Sequence, residues 1–334
     1  MSVKATHPDE RRAKKKGRVM WGFLYLFAFL AAFGGSAVWK LKHDPFGGEF
    51  QVSWNDSVGR VYKDLAYGQG KANRFDLYVP ADNSKSSYGL IVYLHAGGFT
   101  GGDKSGDAGI LTWLCSKGYV TAGINYTLAG DENPDASVYS QSMEVKASIP
   151  VVIAEAEKLG YRIDEMAISG GSAGGCLALL YAYRDAGDSP VPVKMVFEAA
   201  GPSSFYPQDW KCYGFDRGSE ESHAAARTLF GVMAGKTIRS AFGTPEYEEE
   251  IKDISALHWI SENTVPTLVA YGKYDKVQPF ESSQRLLRAL EENQVPHDYY
   301  LCEHSGHGLQ NDNKVYGQYM RKITEYLAAY MPVK

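Results

Sequence analysis

The sequence has few of the features that most directly reveal a protein's function. It contains only four cysteines in 334 residues, and their spacing fits no zinc site. Its net charge of −4 gives no indication of a nucleic-acid partner, and it carries no internal repeat or low-complexity tract. With 44% apolar and 22% charged residues, the chain has the composition of an ordinary globular protein with a large core.

The four cysteines fall into two classes. Cys115 and Cys176 lie in apolar stretches that predict helices, so we expect both to pack in the core. Cys212 and Cys302 lie in or near loops expected at one end of the sheet, where they could pair in an oxidising compartment. Four cysteines allow three pairings, and the sequence does not choose among them.

The N-terminus differs in kind from the rest of the chain. A basic cluster within residues 1–18 precedes residues 19–39, in which no side chain is charged. A helix of about 21 residues is ~31 Å long, close to the ~30 Å thickness of a bilayer's hydrocarbon core. Trp21 and Trp39 lie near its two ends, where aromatic side chains favour the membrane interface. We therefore predict a single membrane-spanning segment at 19–39 after a basic cytoplasmic tail.

This segment predicts export of the rest of the chain in one of two forms. The flank that follows it is less basic than the one before it, so the positive-inside rule leaves the N-terminus in the cytoplasm. In the first form the segment is an uncleaved signal anchor, which its length and its two tryptophans favour. In the second form it is a signal peptide cut after Gly35-Ser36-Ala37, whose small side chains suit a signal peptidase, and the protein is secreted.

After a connector at 40–58, short apolar runs alternate with helix-sized intervals. This rhythm is typical of an α/β protein with a mostly parallel sheet covered by helices on both faces. We expect eight strands in one domain at 59–334, the first two forming a hairpin at 60–67 and 74–79. Ligands bind at the carboxyl ends of such strands, so polar residues just after a strand are the site candidates.

Residues 201–262 interrupt this rhythm. They contain helical patterns and no clear strand, which indicates a small helical insertion over the site. The insertion begins with a run of aromatic residues that includes Phe205, Tyr206 and Trp210. Two interpretations stay open: the aromatic segment packs against itself, or its rings line an acyl or sugar pocket together with Phe99.

Ser172 is the candidate nucleophile. It lies in a G-x-S-x-G motif that follows an apolar run predicting a strand and precedes an apolar run predicting a helix. A sharp turn between strand and helix holds the serine hydroxyl clear of the sheet, near the positive end of the helix dipole. A serine nucleophile also needs a base, a group that orients the base, and donors for the oxyanion.

Loops after later strands supply a base and an acid. His307, which has glycine on both sides, follows the last strand and is preferred as the base over His304. Asp275 follows the strand at 267–271 and is preferred as the acid, with Glu198 as the alternative. An ionised carboxylate at Asp275 would fix the tautomer of His307 and stabilise its protonated form.

The segment His95-Ala96-Gly97-Gly98 follows the strand at 90–94 and is the candidate oxyanion loop. The N–H groups of Gly97 and Gly98 would join that of Ala173, because two or more donors must converge on one oxygen. A phosphate-binding loop is the rival interpretation of these glycines. It is disfavoured because the segment lacks a Gly-Lys-Ser/Thr ending and the G-x-G-x-x-G spacing.

The order Ser172, Asp275, His307 is the one expected for an α/β-hydrolase. Together with residues 75–80 and the oxyanion segment 95–103, these motifs make the chain from about 60 to 330 resemble bacterial carboxylesterases of the α/β-hydrolase superfamily. The resemblance is closest to the hormone-sensitive-lipase-like and BD-FAE (feruloyl/acetyl-xylan esterase-like) branch. Ala96 departs from the HGGG pattern only mildly, because the implied donors are the two glycines after it.

The resemblance implies a serine ester hydrolase, a carboxylesterase that forms an acyl-enzyme through a Ser-His-Asp triad. It implies no metal or organic cofactor and a small-molecule or carbohydrate-linked ester as substrate. Two alternatives stay open, a serine peptidase or amidase of the same fold and a catalytically silent surface binding module. The first usually has an additional large domain, which we do not expect here, and the second usually lacks a triad member. The acyl group, the alcohol and the oligomeric state are not determined by the sequence.

Overall fold

A computed structural model describes residues 46–334. Its eight strands are β1 Gly59–Ala66, β2 Arg74–Pro80, β3 Tyr88–Leu94, β4 Val120–Ile124, β5 Ile163–Gly171, β6 Val193–Ala199, β7 Thr267–Gly272 and β8 His297–Cys302. They form one sheet in the order β1-β2-β4-β3-β5-β6-β7-β8. β1 and β2 form an antiparallel hairpin, β2 pairs antiparallel with β4, and the other five pairs are parallel. The predicted α/β architecture and its hairpin are confirmed.

The helices of the described residues are α1 Ala108–Cys115, α2 Val138–Lys158, α3 Ala173–Leu180, α4 Glu220–Ala234, α5 Pro245–Ile251, α6 Phe280–Glu292 and α7 Asn313–Tyr330. Successive strand residues point to opposite faces of the sheet. Ile91 belongs to an apolar cluster with α1 and α7, whereas its neighbours Leu90 and Val92 belong to one with α2, α3 and α6. Helices therefore cover both faces of the sheet, and its central strands are buried on both sides, whereas the edge strands β1 and β8 are partly exposed.

Helix α2 is continuous, although its sequence predicts an interruption at Pro150. It begins at a capping box in which the side chains of Ser137 and Ser140 bond each other's backbone N–H groups. Proline removes one hydrogen bond from a helix interior. Here Ile149 and Val152 on either side of it are fully buried, and packing of that face holds the helix together.

The chain between β6 and β7 carries α4, α5 and short 3-10 turns, and no strand is found among these residues. Within it the rings of Phe205, Trp210, Phe215 and Phe230 contact one another, with centroids 5.3–5.7 Å apart. All four side chains are buried. Of the two interpretations of the aromatic segment, this arrangement favours a segment that packs against itself.

The predicted tail and membrane segment lie outside the described residues. Among the helices of residues 46–334, none combines the length and apolarity that crossing a bilayer requires. The four cysteines are free. Cys115 and Cys176 are buried as expected, while Cys212 is exposed and Cys302 is buried in β8, so the structure does not join the latter two.

A buried ion pair ties the chain after the candidate oxyanion loop to the hairpin. Lys104 lies in a 3-10 turn, and its Nζ is 2.7 Å from Oδ1 of Asp64 in β1 and 3.1 Å from Oδ1 of Asp76 in β2. The side chains of Lys104 and Asp76 are 6% and 2% exposed. Because ions taken out of water need a close partner, each of these two depends on the other.

We therefore expect Lys104→Met to lower the free energy of unfolding by about 3–5 kcal/mol, because it leaves the Asp76 carboxylate buried without a cation. Lys158→Met is the matched control. Lys158 pairs with Glu155 at 2.6 Å, but its side chain is 67% exposed, so its loss should cost less than about 1 kcal/mol. Urea unfolding of both variants provides the measurement, and equal losses would contradict the assigned role of Lys104.

Candidate active site

Ser172 lies at the turn between β5 and α3, in the middle of the sheet. Its backbone has φ +52° and ψ −119°, an unusual conformation for a residue with a side chain. Its N–H donates to the carbonyl oxygen of Ala199 in β6 at 2.7 Å, and its own carbonyl oxygen accepts from the N–H of Cys176 in α3 at 3.0 Å. The neighbouring strand and helix thus hold this turn in place.

Both glycine positions of the G-x-S-x-G motif require glycine, because neighbouring backbone atoms lie too close to leave room for a side chain. A Cβ atom added to Gly170 would lie 2.4 Å from the carbonyl carbon of Gly174. A Cβ atom added to Gly174 would lie 1.9 Å from the carbonyl oxygen of Leu94 and 2.7 Å from that of His95. These contacts press the start of α3 against the end of β3, so the nucleophile turn and the candidate oxyanion loop lie side by side.

His307 joins Ser172 to Asp275. Its Nε2 lies 2.8 Å from Oγ of Ser172, and its Nδ1 lies 2.7 Å from Oδ2 of Asp275. With Nδ1 carrying the proton, the ring donates to the carboxylate and accepts from the serine hydroxyl. The structure thus brings together the three residues that the sequence predicts as nucleophile, base and acid.

Asp275 is held by its own loop. Its Oδ1 accepts hydrogen bonds from the N–H groups of Val277 at 2.8 Å and Gln278 at 2.9 Å, which leaves Oδ2 for His307. The Asp275 side chain is only 1% exposed, whereas that of His307 is 27% exposed. The carboxylate is therefore shielded and fully bonded, and the imidazole remains open to a ligand on one side.

The two rival candidates lie elsewhere. His304 has its Nδ1 2.9 Å from Oδ1 of Asp312, and its side chain is 80% exposed. Glu198 is fully buried next to the nucleophile turn, where its Oε2 accepts from the N–H of Gly201 at 2.6 Å. Within residues 46–334, neither side chain bonds to Ser172 or His307.

The candidate oxyanion loop has an unusual backbone. Gly97 has φ +138° and Gly98 has φ +61°, and a Cβ atom at Gly97 would lie 2.0 Å from the carbonyl oxygen of Gly101. In the part of the chain that the structure describes, no protein group accepts a hydrogen bond from the N–H of Gly97, Gly98 or Ala173. These three donors, on two adjacent turns, are available to a ligand.

Residues that sequence reasoning missed hold the oxyanion loop from behind. The ring of Tyr126 stacks on that of His95 with centroids 4.3 Å apart, and its hydroxyl donates to the His95 carbonyl oxygen at 2.8 Å. Gln141 Nε2 donates to the carbonyl oxygens of Phe99 and Thr127. Burial lowers the pKa of His95, which keeps its ring neutral. No motif marks Tyr126 or Gln141, because their partners are backbone atoms distant in sequence.

The candidate substrate-binding rings are buried or partly buried. Phe99, Phe205 and Trp210 are buried, at 8%, 0% and 2% exposure. Tyr206 is partly buried, and its hydroxyl donates to Oε2 of Glu248 at 2.7 Å.

Two other tyrosines do face solvent near the acid loop. Tyr274 precedes Asp275 and is 63% exposed. Tyr213 is 43% exposed, and its hydroxyl donates to the carbonyl oxygen of Val277 at 3.1 Å. Among residues 46–334, no group of three or more His, Cys, Asp or Glu side chains is arranged to hold a metal ion.

A model of the BD-FAE family matches residues 75–290, which is more than half of the chain. The chain belongs to the BD-FAE family. The matched span contains Ser172, Asp275 and the oxyanion loop. His307 lies beyond it, and the folded structure brings it to the other two. The resemblance to BD-FAE esterases expected from the motifs is thereby confirmed.

Two curated relatives of this chain are named as ester hydrolases. The BD-FAE chain is 26% identical over 244 residues to the probable carboxylic ester hydrolase LipM of Mycobacterium tuberculosis, covering 70% of this chain and 54% of LipM. It is 26% identical over 256 residues to esterase LipC of the same organism, covering 73% of this chain and 59% of LipC. It therefore spans little more than half the length of these curated relatives.

The fold is also shared with a solved structure, a truncated form of a carbohydrate esterase from gut microbiota. The TM-score is 0.65 at 18% identity, and the match covers 83% of the BD-FAE chain and 98% of the other. At this identity the likeness concerns the fold.

The glycine contact at the nucleophile turn gives a direct test. We expect Gly174→Ala to lower the free energy of unfolding by about 1–3 kcal/mol, because its Cβ would overlap the Leu94 carbonyl oxygen. Gly109→Ala in α1 is the control, since no atom lies within 4 Å of a Cβ added there, and it should leave stability unchanged or raise it by up to about 1 kcal/mol. Chemical denaturation measures both. Similar values for the two variants would show that the tight fit at Gly174 is not needed.

Proposed function

We propose that this protein is a serine ester hydrolase, a carboxylesterase that uses Ser172, His307 and Asp275. The observation that carries the proposal is the continuous hydrogen-bonded series from Asp275 through His307 to the Ser172 hydroxyl, at 2.7 and 2.8 Å. Both distances lie within the range in which a base can take a proton from a nucleophile. Relatives named as ester hydrolases support the same reaction class.

In the first half of the reaction, Oγ of Ser172 attacks the ester carbonyl carbon while Nε2 of His307 takes the hydroxyl proton. The Asp275 carboxylate stabilises the imidazolium that forms. The carbonyl oxygen becomes an oxyanion and accepts hydrogen bonds from the unoccupied N–H groups of Gly97, Gly98 and Ala173. When the tetrahedral intermediate collapses, the bond to the alcohol oxygen breaks, and that oxygen takes the proton from His307.

The second half repeats this chemistry with water. His307 takes a proton from a water molecule that attacks the acyl carbon, and the same donors stabilise the second oxyanion. Collapse of this intermediate breaks the bond to Ser172, whose Oγ regains the proton from His307 as the acid product leaves. The protein groups present thus account for every proton that moves.

We propose short acyl esters of small molecules or carbohydrates, acetyl esters among them, as the substrates. The exposed rings of Tyr213 and Tyr274 beside the acid loop support this choice, because aromatic faces beside a catalytic site suit the apolar face of a sugar ring. The structural neighbour named as a carbohydrate esterase has the same fold. Hydrolysis rates across acyl lengths and across acetylated sugars would rank these substrates.

The catalytic assignment is tested by Ser172→Ala and His307→Ala in the full chain, with p-nitrophenyl acetate and butyrate as substrates. We expect each variant to lose at least about 10³-fold in kcat/KM, because a triad acts as a unit. His304→Ala is the matched control. It removes a histidine three residues from the base that does not contact the nucleophile, and it should retain most of the activity.

Turnover undiminished in Ser172→Ala would overturn the assignment. Amide analogues of the same acyl groups provide a second comparison. If amides were hydrolysed as fast as the esters, the protein would be an amidase or peptidase of this fold. If a fluorophosphonate failed to label Ser172, it would be a silent binding module.

We also propose that residues 19–39 anchor the protein in the cell membrane with the catalytic domain outside, on the strength of their unbroken apolarity and the basic cluster before them. In a bacterial host, the full chain should remain in the membrane fraction after a carbonate wash and be cleaved by protease added outside. A variant with Leu24 and Phe27 both replaced by Arg should be lost from that fraction. A soluble product whose intact mass begins after Ala37 would instead identify a secreted protein.

A further inference from the structure

Glu198 is a buried carboxyl group next to the nucleophile turn that the proposed mechanism does not use. It lies in β6 opposite Gly170 of β5, two residues before Ser172. The next residue, Ala199, provides the carbonyl oxygen that accepts the N–H of Ser172 at 2.7 Å. The end of β6 that accepts the hydrogen bond from the Ser172 N–H is therefore the segment that carries Glu198.

The carboxyl group closes the turn that follows β6. Its Oε2 accepts the N–H of Gly201 at 2.6 Å, across Ala200, which has φ +56°. A Cβ atom added to Gly201, or to Gly175 in the first turn of α3, would lie 2.7 Å from the same oxygen. Glu198 thus fits between the turn after β6 and the helix that begins at the nucleophile.

The surroundings of Glu198 do not stabilise a negative charge. Its side chain is fully buried, and no cation pairs with it in the described part of the chain. Its Oε1 has no hydrogen-bond partner among these residues. The titratable groups that face it from the neighbouring elements are tyrosines and a cysteine, which carry no charge when protonated. They are Tyr93, Cys176, Tyr183, Tyr271, Tyr299 and Tyr319.

Burial raises the pKa of Glu198 to about 8, against the opposing effect of the hydrogen bond from the Gly201 N–H. The group is therefore mostly protonated at neutral pH. This matters because a nearby carboxylate would repel the oxyanion that forms above α3 and would weaken the positive potential at the start of that helix.

We propose that Glu198 is a positioning residue that acts as a neutral acid: it holds the turn that supports Ser172 and keeps a second negative charge away from the oxyanion. The inference rests on the proposed ester hydrolysis for its catalytic consequence. Its structural content, a buried carboxyl that stays protonated in the folded chain, does not depend on activity.

The catalytic consequence is tested by comparing kcat/KM from pH 6 to 10 for the wild type, Glu198→Gln and Glu198→Ala, using a pH-stat and a short-chain ester. A glutamine can accept from the Gly201 N–H and cannot ionise. We expect it to match the wild type within about threefold at pH 7. The wild type should then fall about tenfold or more through a midpoint near pH 8, because ionisation places a charge near the oxyanion. Glu198→Gln should lack this fall, and Glu198→Ala should be slower at every pH.

Two results would overturn the proposal. If Glu198→Gln kept the alkaline fall unchanged, another group would cause it. If Glu198→Gln were as slow as Glu198→Ala at neutral pH, the site would need a carboxylate.

A second measurement needs no activity and so separates this inference from the proposed function. Thermal unfolding is followed from pH 5 to 9.5 for two chains, Ser172→Ala alone and Ser172→Ala combined with Glu198→Gln. The folded-state pKa near 8 lies above the ordinary value of 4.5, so the unfolded chain releases this proton first as pH rises. Stability from protonated Glu198 is fully present below about pH 4.5, falls between 4.5 and 8, and is lost above 8.

We therefore compare the melting temperature of the chain with Glu198→Gln with that of the chain that keeps Glu198. The advantage of the Glu198→Gln chain should increase between pH 5 and 8 and level off above pH 8. Asp107→Asn is the matched control. Asp107 is a second carboxyl group, and burial raises its pKa to about 7. Replacing it should not change the difference in melting temperature between the chains with and without Glu198. A difference that does not vary with pH would overturn the proposal.

Discussion

The site depends above all on the contact between the start of α3 and the end of β3. Gly174 lies so close to the Leu94 carbonyl oxygen that no side chain fits between them. This contact places the Ser172 turn beside the candidate oxyanion loop. Serine can adopt the unusual backbone of this turn because Ala199 and Cys176 bond it from both sides. Without that packing, a G-x-S-x-G motif is only a flexible, glycine-rich segment.

The buried ions near the site, among the residues that the structure describes, have bonded partners. Lys104 and Asp76 neutralise each other beneath the chain that leaves the oxyanion loop. Asp275 is buried, but two N–H groups and His307 bond its oxygens. Glu198 has one bonded oxygen and, within residues 46–334, no cation beside it, and its environment favours the protonated form. Among the described residues, His307 therefore bonds to one carboxylate, that of Asp275.

The insertion between β6 and β7 supports the site more than it encloses it. Its aromatic residues contact one another and belong to the same apolar cluster as Leu90 and Val92 of the sheet. Tyr213 and Tyr274 remain exposed near the loop that carries Asp275.

By itself the sequence determined the succession of strands and helices along the chain and singled out a candidate nucleophile, base and acid, because those features have local patterns: alternating apolar runs, glycines around Ser172, and polar residues just after a strand. It left Asp275 and Glu198 as rivals, since both follow a strand, and it left the aromatic segment with two interpretations. Only the tertiary structure decided between them. Which carboxyl reaches His307, which rings are buried, and that Tyr126 and Gln141 hold the oxyanion loop all depend on contacts between residues far apart in the chain. Such contacts leave no local pattern, because their energy arises when the sheet closes and the helices pack on it.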